Sequence, residues 1–144
     1  MKGMSLIVKS ITNIVIGFIF IYGIYIILHG HLTPGGGFAG GVIVAGAFVL
    51  KYLAFGAEAK HEKQSSTAAS VYESIGGLLF IGVALAGLVI AGTFFLNFIP
   101  KGTPFHLLSA GIIPVCNIAI GIKVGAGLFS IFLALAAVKY VTED

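Results

Sequence analysis

Residues His29 to Gly41 read HGHLTPGGGFAGG, a polar and flexible run enclosed by segments built mainly from Ile, Val, Phe, Ala and Leu. The run holds two histidines, one proline and six glycines. The apolar segments on its two sides, from about Leu6 to Leu28 and from about Phe38 to Phe55, come close to the roughly 20 residues that a membrane-spanning helix needs. The stretch therefore predicts a Gly/Pro-rich bend between two spanning helices.

Two further apolar segments follow, from about Val71 to Ile99 and from about Ser109 to Val138. The chain has 144 residues, of which 58% are hydrophobic and 9% charged, and its mean hydropathy is +1.11. Globular domains have about 25% charged residues. The sequence thus predicts an all-α integral membrane protein with four transmembrane helices in a single domain, residues 1–144.

The lysines orient the four predicted helices, because positively charged loops remain on the cytoplasmic side. An N-terminus in the cytoplasm places six lysines at cytoplasmic ends and only Lys101 in an outer loop. Those six are Lys2, Lys9, Lys51, Lys60, Lys63 and Lys139. We therefore predict that both termini are cytoplasmic, that residues Ala57 to Ser70 form a solvated inner loop, and that the bend lies outside. The first segment is expected to be a retained anchor, since no A-x-A-like cleavage site follows it.

The bend has three possible roles. Irregular backbone cannot face lipid, so it must be covered by protein or line a watery cavity. It can be a tight structural turn in which Pro34 redirects the chain and glycines permit close approach. It can line a path for ions or water. A metal site formed by His29 and His31, with His106 from the other outer loop, is a poorer fit because no carboxylate is near in the sequence.

Lys123 lies within the fourth apolar segment, in AIGIKVGAG, Ala119 to Gly127. A charge inside a membrane helix normally has a partner. In the predicted topology all five acids, Glu73 among them, belong to the cytoplasmic side, so Lys123 is expected to have no partner in its own chain. It could carry a functional or subunit-bridging charge, extend to the outer headgroups, or bind backbone carbonyls near Pro114–Asn117.

Several functional classes are excluded. The sequence has no arginine, and its lysines lie at segment ends, which does not suit nucleic acid. The lone Cys116 permits no internal disulfide, and neither a cysteine cluster nor a nucleotide motif indicates a cofactor. Small residues on spanning helices favour helix–helix packing, which is expected at Gly82, Gly87, Gly121 and Gly125. Because no acid is predicted at mid-depth, the chain is expected to act as one part of a larger assembly.

Two stretches resemble a known family. The run HGHLTPGGGFAGGV and, later, NIAIGIKVGAGLFSIFLA are similar in order and spacing to the MnhB family, whose members are small subunits of the Mrp-type multisubunit sodium/proton antiporters. The resemblance extends from the first span to Ala134. The family commonly has Gln where this chain has Ala39, which weakens any proposal for a polar side chain there.

The resemblance implies a small four-helix subunit without a catalytic site, a cofactor or a metal of its own. Its partners would be other membrane subunits of a complex that exchanges Na⁺ and H⁺. That complex is either a stand-alone antiporter or the antiporter-like module of an archaeal membrane-bound hydrogenase or sulfur reductase, with redox subunits attached. The motifs carry over as candidate ion-path or contact positions Lys123, His31, Pro34, Gly35, Gly36, Gly37, Phe38, Gly40 and Gly41. The alternatives are an independent homo-oligomeric cation channel and a purely structural scaffold subunit.

Overall fold

The structure is a computed structural model that describes the backbone of residues 4–56, 59–107 and 109–142, and the side chains of 4–56, 65–107 and 109–138. It contains four helices: α1 Leu6–Leu28, α2 Gly37–Phe55, α3 Ala59–Ala91 and α4 Ile113–Thr142. No strand occurs in these ranges. Each helix contains a segment that is long and apolar enough to cross a membrane, which we call its apolar window. In the described residues these are Leu6–Leu28, Gly37–Phe55, Ser65–Ala91 and Ile113–Val138. The predicted all-α membrane fold is therefore confirmed.

Local chemistry explains where the helices begin and end. The Ser5 side chain accepts a hydrogen bond from the backbone N–H of Val8 at 3.5 Å and caps α1. Gly36 precedes α2 with a φ of +110°, and Gly56 ends it with a φ of +76°. Gly92, with a φ of +75°, ends α3. Glycine adopts such angles without steric cost, so these glycines interrupt an otherwise continuous apolar pattern.

The third helix differs from the sequence prediction. The sequence predicts a solvated loop over residues 59–70, but these residues form the first turns of α3; residues 57 and 58 of that predicted loop lie outside the described part of the chain. Alanine, lysine, glutamate and glutamine favour helix even where the chain is polar. The Ser70 and Ser74 hydroxyls donate to backbone carbonyls four residues earlier, at 3.1 and 2.9 Å. The candidate membrane span of α3 among the described residues is Ser65–Ala91.

The segment 92–112 connects α3 to α4, and its described residues, 92–107 and 109–112, form no regular helix. The predicted third span therefore stops at Ala91 and not at Ile99. Asn97 organises this connection, because its side-chain oxygen accepts hydrogen bonds from the backbone N–H groups of Ile99 at 3.3 Å and Ile112 at 3.2 Å. Gly111, with a φ of +62°, turns the chain into α4 directly beside Asn97. The fourth helix thus begins four residues after the predicted Ser109.

Helix α4 is the common packing partner of α2 and α3, and α1 packs mainly on α2. In the described residues, no Cα atom of α2 lies within 8 Å of a Cα atom of α3. The buried positions are mostly small. They include Gly23, Gly40, Gly41, Ala45, Ala47, Ala54, Ala84 and Ala119. Small side chains let helices approach closely where no hydrophobic effect drives them together.

Most large apolar side chains lie on the outside of this bundle. Between 11% and 28% of each apolar window is buried within the chain. A fold with so little internal burial depends on surroundings that accept apolar surface, which are lipid or neighbouring membrane proteins.

Candidate functional site

Lys123 has an acidic partner in its own chain. Its Nζ atom lies 3.5 Å from Oε1 of Glu73 on α3. The expectation that every acid lies beyond the reach of Lys123 is therefore wrong. Packing and not hydropathy brings the two residues together, because the Glu73 carboxylate lies beside Gly127, near the middle of the candidate span Ile113–Val138 of α4.

Glycines on both helices make room for this charge pair. A Cβ atom on Gly76 would lie 2.7 Å from the backbone nitrogen of Lys123 and 2.8 Å from the carbonyl oxygen of Ala119, so the two helix backbones are in close contact there. Gly77 lies beside the Lys123 ammonium group, and Gly127 beside the Glu73 carboxylate. Because Glu73 and Gly77 are four residues apart, as are Lys123 and Gly127, each glycine shares a helix face with one charged residue of the pair.

The pair is open on one side. The side chains of Lys123 and Glu73 are 52% and 41% exposed in the single chain. Lys123 lies about 15 Å along the helix from Ile113, the start of the apolar window of α4. Two charges at such depth are costly against hydrocarbon. The open side of the pair therefore requires a covering of protein or water.

A second polar cluster joins the bend to α4. The backbone N–H of Gly37 donates to the side-chain oxygen of Asn117 at 3.4 Å. Gly36 and Gly37 are buried, and a Cβ on Gly37 would collide with the Asn117 carbonyl oxygen. A Cβ on Gly30 would collide with Gly36 and come within 2.8 Å of Asn117 Nδ2. We refer to Gly30, Gly36, Gly37 and Asn117 as the glycine joint.

Three histidines lie near the glycine joint, in different settings. The Nε2 atom of His31 is 3.3 Å from the carbonyl oxygen of His106, which connects the bend to the 92–112 segment. His29 stacks on Tyr25, with ring centroids 4.1 Å apart, and its Nδ1 atom is 3.1 Å from the Tyr25 carbonyl oxygen. His31 Nδ1 and Asn117 Nδ2 are buried without a hydrogen-bond partner in the described residues. No group of three or more His, Cys, Asp or Glu that could hold a metal forms in the described part of the chain.

The other candidate positions divide into contacts and exposed sites. Gly41 packs against α4, since its Cβ would lie 2.9 Å from the Gly121 carbonyl oxygen, and Gly125 lies opposite Gly41. Gly40 packs against Ile27 of α1. Pro34, Gly35 and Phe38 are exposed. On α3, Gly87 contacts the backbone of Leu96, whereas Gly82 has no atom of the described chain within 4 Å of a Cβ position.

Sequence reasoning missed Glu73 and Asn117. Glu73 sits where polar and apolar helix merge, so hydropathy alone could not place it inside the span. Asn117 could have been found as a polar residue in an apolar helix, six positions before Lys123, since such residues commonly bond to a neighbouring helix.

These features define a polytopic four-helix membrane protein whose α3 and α4 hold a charge pair within their apolar windows. The family described as the domain related to the MnhB subunit of Na⁺/H⁺ antiporter matches residues 7–130. The chain belongs to this family. The predicted resemblance is therefore confirmed.

Individual relatives agree with the family match. An uncharacterized protein of Methanocaldococcus jannaschii is 37% identical over 127 residues, which cover 84% of this chain and 48% of the relative. A Staphylococcus epidermidis protein whose name describes a putative antiporter subunit, mnhB2, is 46% identical over 55 residues, covering 38% of this chain and 39% of that protein. The chain thus spans about half the length, or less, of these relatives.

A solved structure is also similar. A chain in the membrane-bound sulfane sulfur reductase, an archaeal respiratory membrane complex, superposes with a TM-score of 0.73 at 33% sequence identity. The match covers 91% of this chain and 57% of that chain.

Proposed function

We propose that the chain is a small membrane subunit of a multisubunit Na⁺/H⁺ antiporter-like module in the cell membrane. The module is either a stand-alone antiporter or one coupled to a redox complex. Support comes from membership in the MnhB family and from likeness to a chain of a respiratory membrane complex. In this proposal the chain has no catalytic site of its own, and its partners are the larger membrane subunits of the module.

The observation that carries the proposal is the open Glu73–Lys123 pair. Both side chains are about half exposed in the isolated chain, yet Lys123 lies inside the apolar window of α4 and Glu73 lies beside Gly127 of that helix. A charged side chain in the bilayer centre costs at least about 2.5–3.5 kcal/mol. A neighbouring subunit that packs over this side of α3 and α4 removes the exposure to lipid, which a chain alone in the bilayer cannot do.

The pair also supplies an ionisable group to the module. An intramembrane carboxylate can bind and release a proton or Na⁺, and such residues commonly mark ion paths. We assign the pair to the border of an ion path, in which Glu73 would be the carboxylate that meets the cation and Lys123 its neighbouring positive charge.

The glycine joint has a different role in this proposal. Its close backbone contacts fix the entry of α2 against α4, and the buried polar atoms His31 Nδ1 and Asn117 Nδ2 offer hydrogen-bonding groups to water or to a neighbouring subunit. The joint thereby closes the predicted outer end of the subunit while keeping it polar.

Mass spectrometry of the native complex tests the proposal. The chain would carry a C-terminal tag and be extracted from native membranes in mild detergent, and all co-purifying polypeptides would be identified. We expect large antiporter-like subunits, accompanied by iron–sulfur or nickel-bearing subunits if the module is redox-coupled. Recovery of the chain only with copies of itself would overturn the proposal and favour an independent channel.

A further inference from the structure

A groove of about 750 Å³ runs between α2 and α3, with α4 as its floor. It exists because α2 and α3 both pack on α4 while the described parts of their backbones stay more than 8 Å apart, measured between Cα atoms. The groove extends from the level of Val44 and Gly121 to that of Gly56 and Ser65. It does not include the Glu73–Lys123 pair or the glycine joint.

The inner part of the groove suits a hydrocarbon chain. Phe20, Phe48 and Phe129 line it, and their rings form a connected series with centroid distances of 5.9 Å and 5.6 Å. Its floor on α4 includes Gly121, Gly125 and Ala126. Burial of a hydrocarbon chain against such a surface gives extensive contact without any polar group to satisfy.

Among the described residues, the charged side chains at the end of the groove near Gly56 are lysines, and we call this end cationic. Lys51 lines it, and the Lys9 ammonium lies 5.8 Å above the ring of Phe55, which also lines it. A hydrogen bond of 2.9 Å from the Met4 N–H to the Ala54 carbonyl holds the start of α1 at this level. Two lysines therefore share the same end of an apolar groove. Tyr52 lines the groove next to Lys51 as well, and tyrosine is enriched at membrane interfaces.

We propose that this groove binds an anionic glycerophospholipid. Its acyl chain would lie along Phe20, Phe48 and Phe129, and its phosphate would lie beside Lys51 and Lys9. Basic pockets between spanning helices bind anionic headgroups in this manner. The proposal requires only that the chain spans a membrane, so it stands independently of the antiporter role.

The connectivity favours a lipid over a helix from another subunit. The chain passes from Phe55 at the end of α2 to Ala59 at the start of α3 in four residues, so these helix ends lie no more than about 14 Å apart, whereas a helix packed between them would need about 16–20 Å. A lipid ends at that level with its headgroup. Nor does a spanning helix supply negative charge opposite two lysines unless it carries an acid there, whereas an anionic lipid always does.

Native mass spectrometry of the full-length chain tests the proposal. The chain would be released from bilayers of equal phosphatidylglycerol and phosphatidylcholine. We expect several-fold preferential retention of phosphatidylglycerol, and a loss of about five-fold in that preference for each lysine removed in Lys9→Ala and Lys51→Ala. Lys101→Ala, in the 92–112 segment, is the matched control and should leave the preference unchanged. Equal retention of both lipids by the wild type, or an equal loss in the control, would refute a specific site.

Photo-cross-linking separates the lipid from a protein occupant. A photoreactive phenylalanine analogue at position 129, inside the groove, should form adducts enriched in anionic lipid in native membranes. The same analogue at position 18, where Phe18 of α1 is 71% exposed, should report the bulk lipid composition. Adducts from position 129 with another polypeptide, or with the same lipids as position 18, would overturn the proposal.

Discussion

At the scale of single residues, Glu73 and Lys123 should behave as a coupled pair. We expect Lys123→Met or Glu73→Gln alone to lower the yield of assembled complex, by about ten-fold if the remaining charge meets a dry environment. Removing one partner of a pair costs more than removing both, because the single variant leaves an uncompensated charge. The double variant should therefore recover much of the yield, as measured by quantitative mass spectrometry of the purified complex.

Transport measured on the same variants distinguishes an ion-path role from a scaffold role. If the pair borders an ion path, Na⁺/H⁺ exchange per assembled complex should remain low in the double variant, although assembly has recovered. Lys101→Met, which removes an exposed lysine of the 92–112 segment, serves as the control. Normal exchange in the double variant at several pH values would contradict the ion-path role and leave a structural subunit.

These two residues also differ in how far sequence could identify them. Lys123 stands out because a lysine amid apolar residues is costly and therefore conspicuous. Glu73 does not, because it follows the polar stretch 59–70 and its depth depends on where the helix enters the apolar layer. Only the packing of Gly76 against Lys123 and Ala119 fixes that register, and contact between distant segments is not encoded in local hydropathy.

At the scale of the helices, four spans could be predicted because length and hydropathy alone define them. Their ends could not be predicted as well. Helix α3 begins at Ala59, since good helix formers extend it beyond the apolar window. It ends at Gly92, where a positive φ stops the helix within sequence that is still apolar. The bend between α1 and α2 was visible in sequence, but its contact with Asn117 was not.

The α3–α4 contact predicts opposite results for two glycines of one helix. Gly76→Ala places a Cβ 2.7 Å from the Lys123 backbone, so the helices must separate, at a cost of about 1–3 kcal/mol for overpacking. Gly82→Ala meets no atom of the described chain within 4 Å and should be neutral or favour the helix by up to about 1 kcal/mol. Thermal denaturation of the purified chain in detergent would measure both. Equal stability of the two variants would contradict the packing.

At the scale of the whole molecule, three features have different surroundings. The charge pair lies on the open side of α3 and α4, the lipid groove lies between α2 and α3, and the glycine joint lies at the other end of α2 from Lys51. Because α4 contributes residues to all three, a shift of α4 would change the geometry of each of them. A neighbouring subunit that binds the charge pair could thus affect both the groove and the joint.

The orientation of the molecule is the remaining prediction, and it rests on the lysine bias. Replacing the lone Cys116 by Ala gives a background for single cysteines at Gln64, before the apolar window of α3, and at Thr103, in the 92–112 segment. With cytoplasmic termini, a membrane-impermeant maleimide should label Thr103→Cys in intact cells, and Gln64→Cys only after permeabilisation. The reverse pattern would put the glycine joint on the cytoplasmic side and the two lysines of the lipid groove outside. Phosphatidylglycerol would then have to be drawn from the outer leaflet, and any ion path at the joint would open inward.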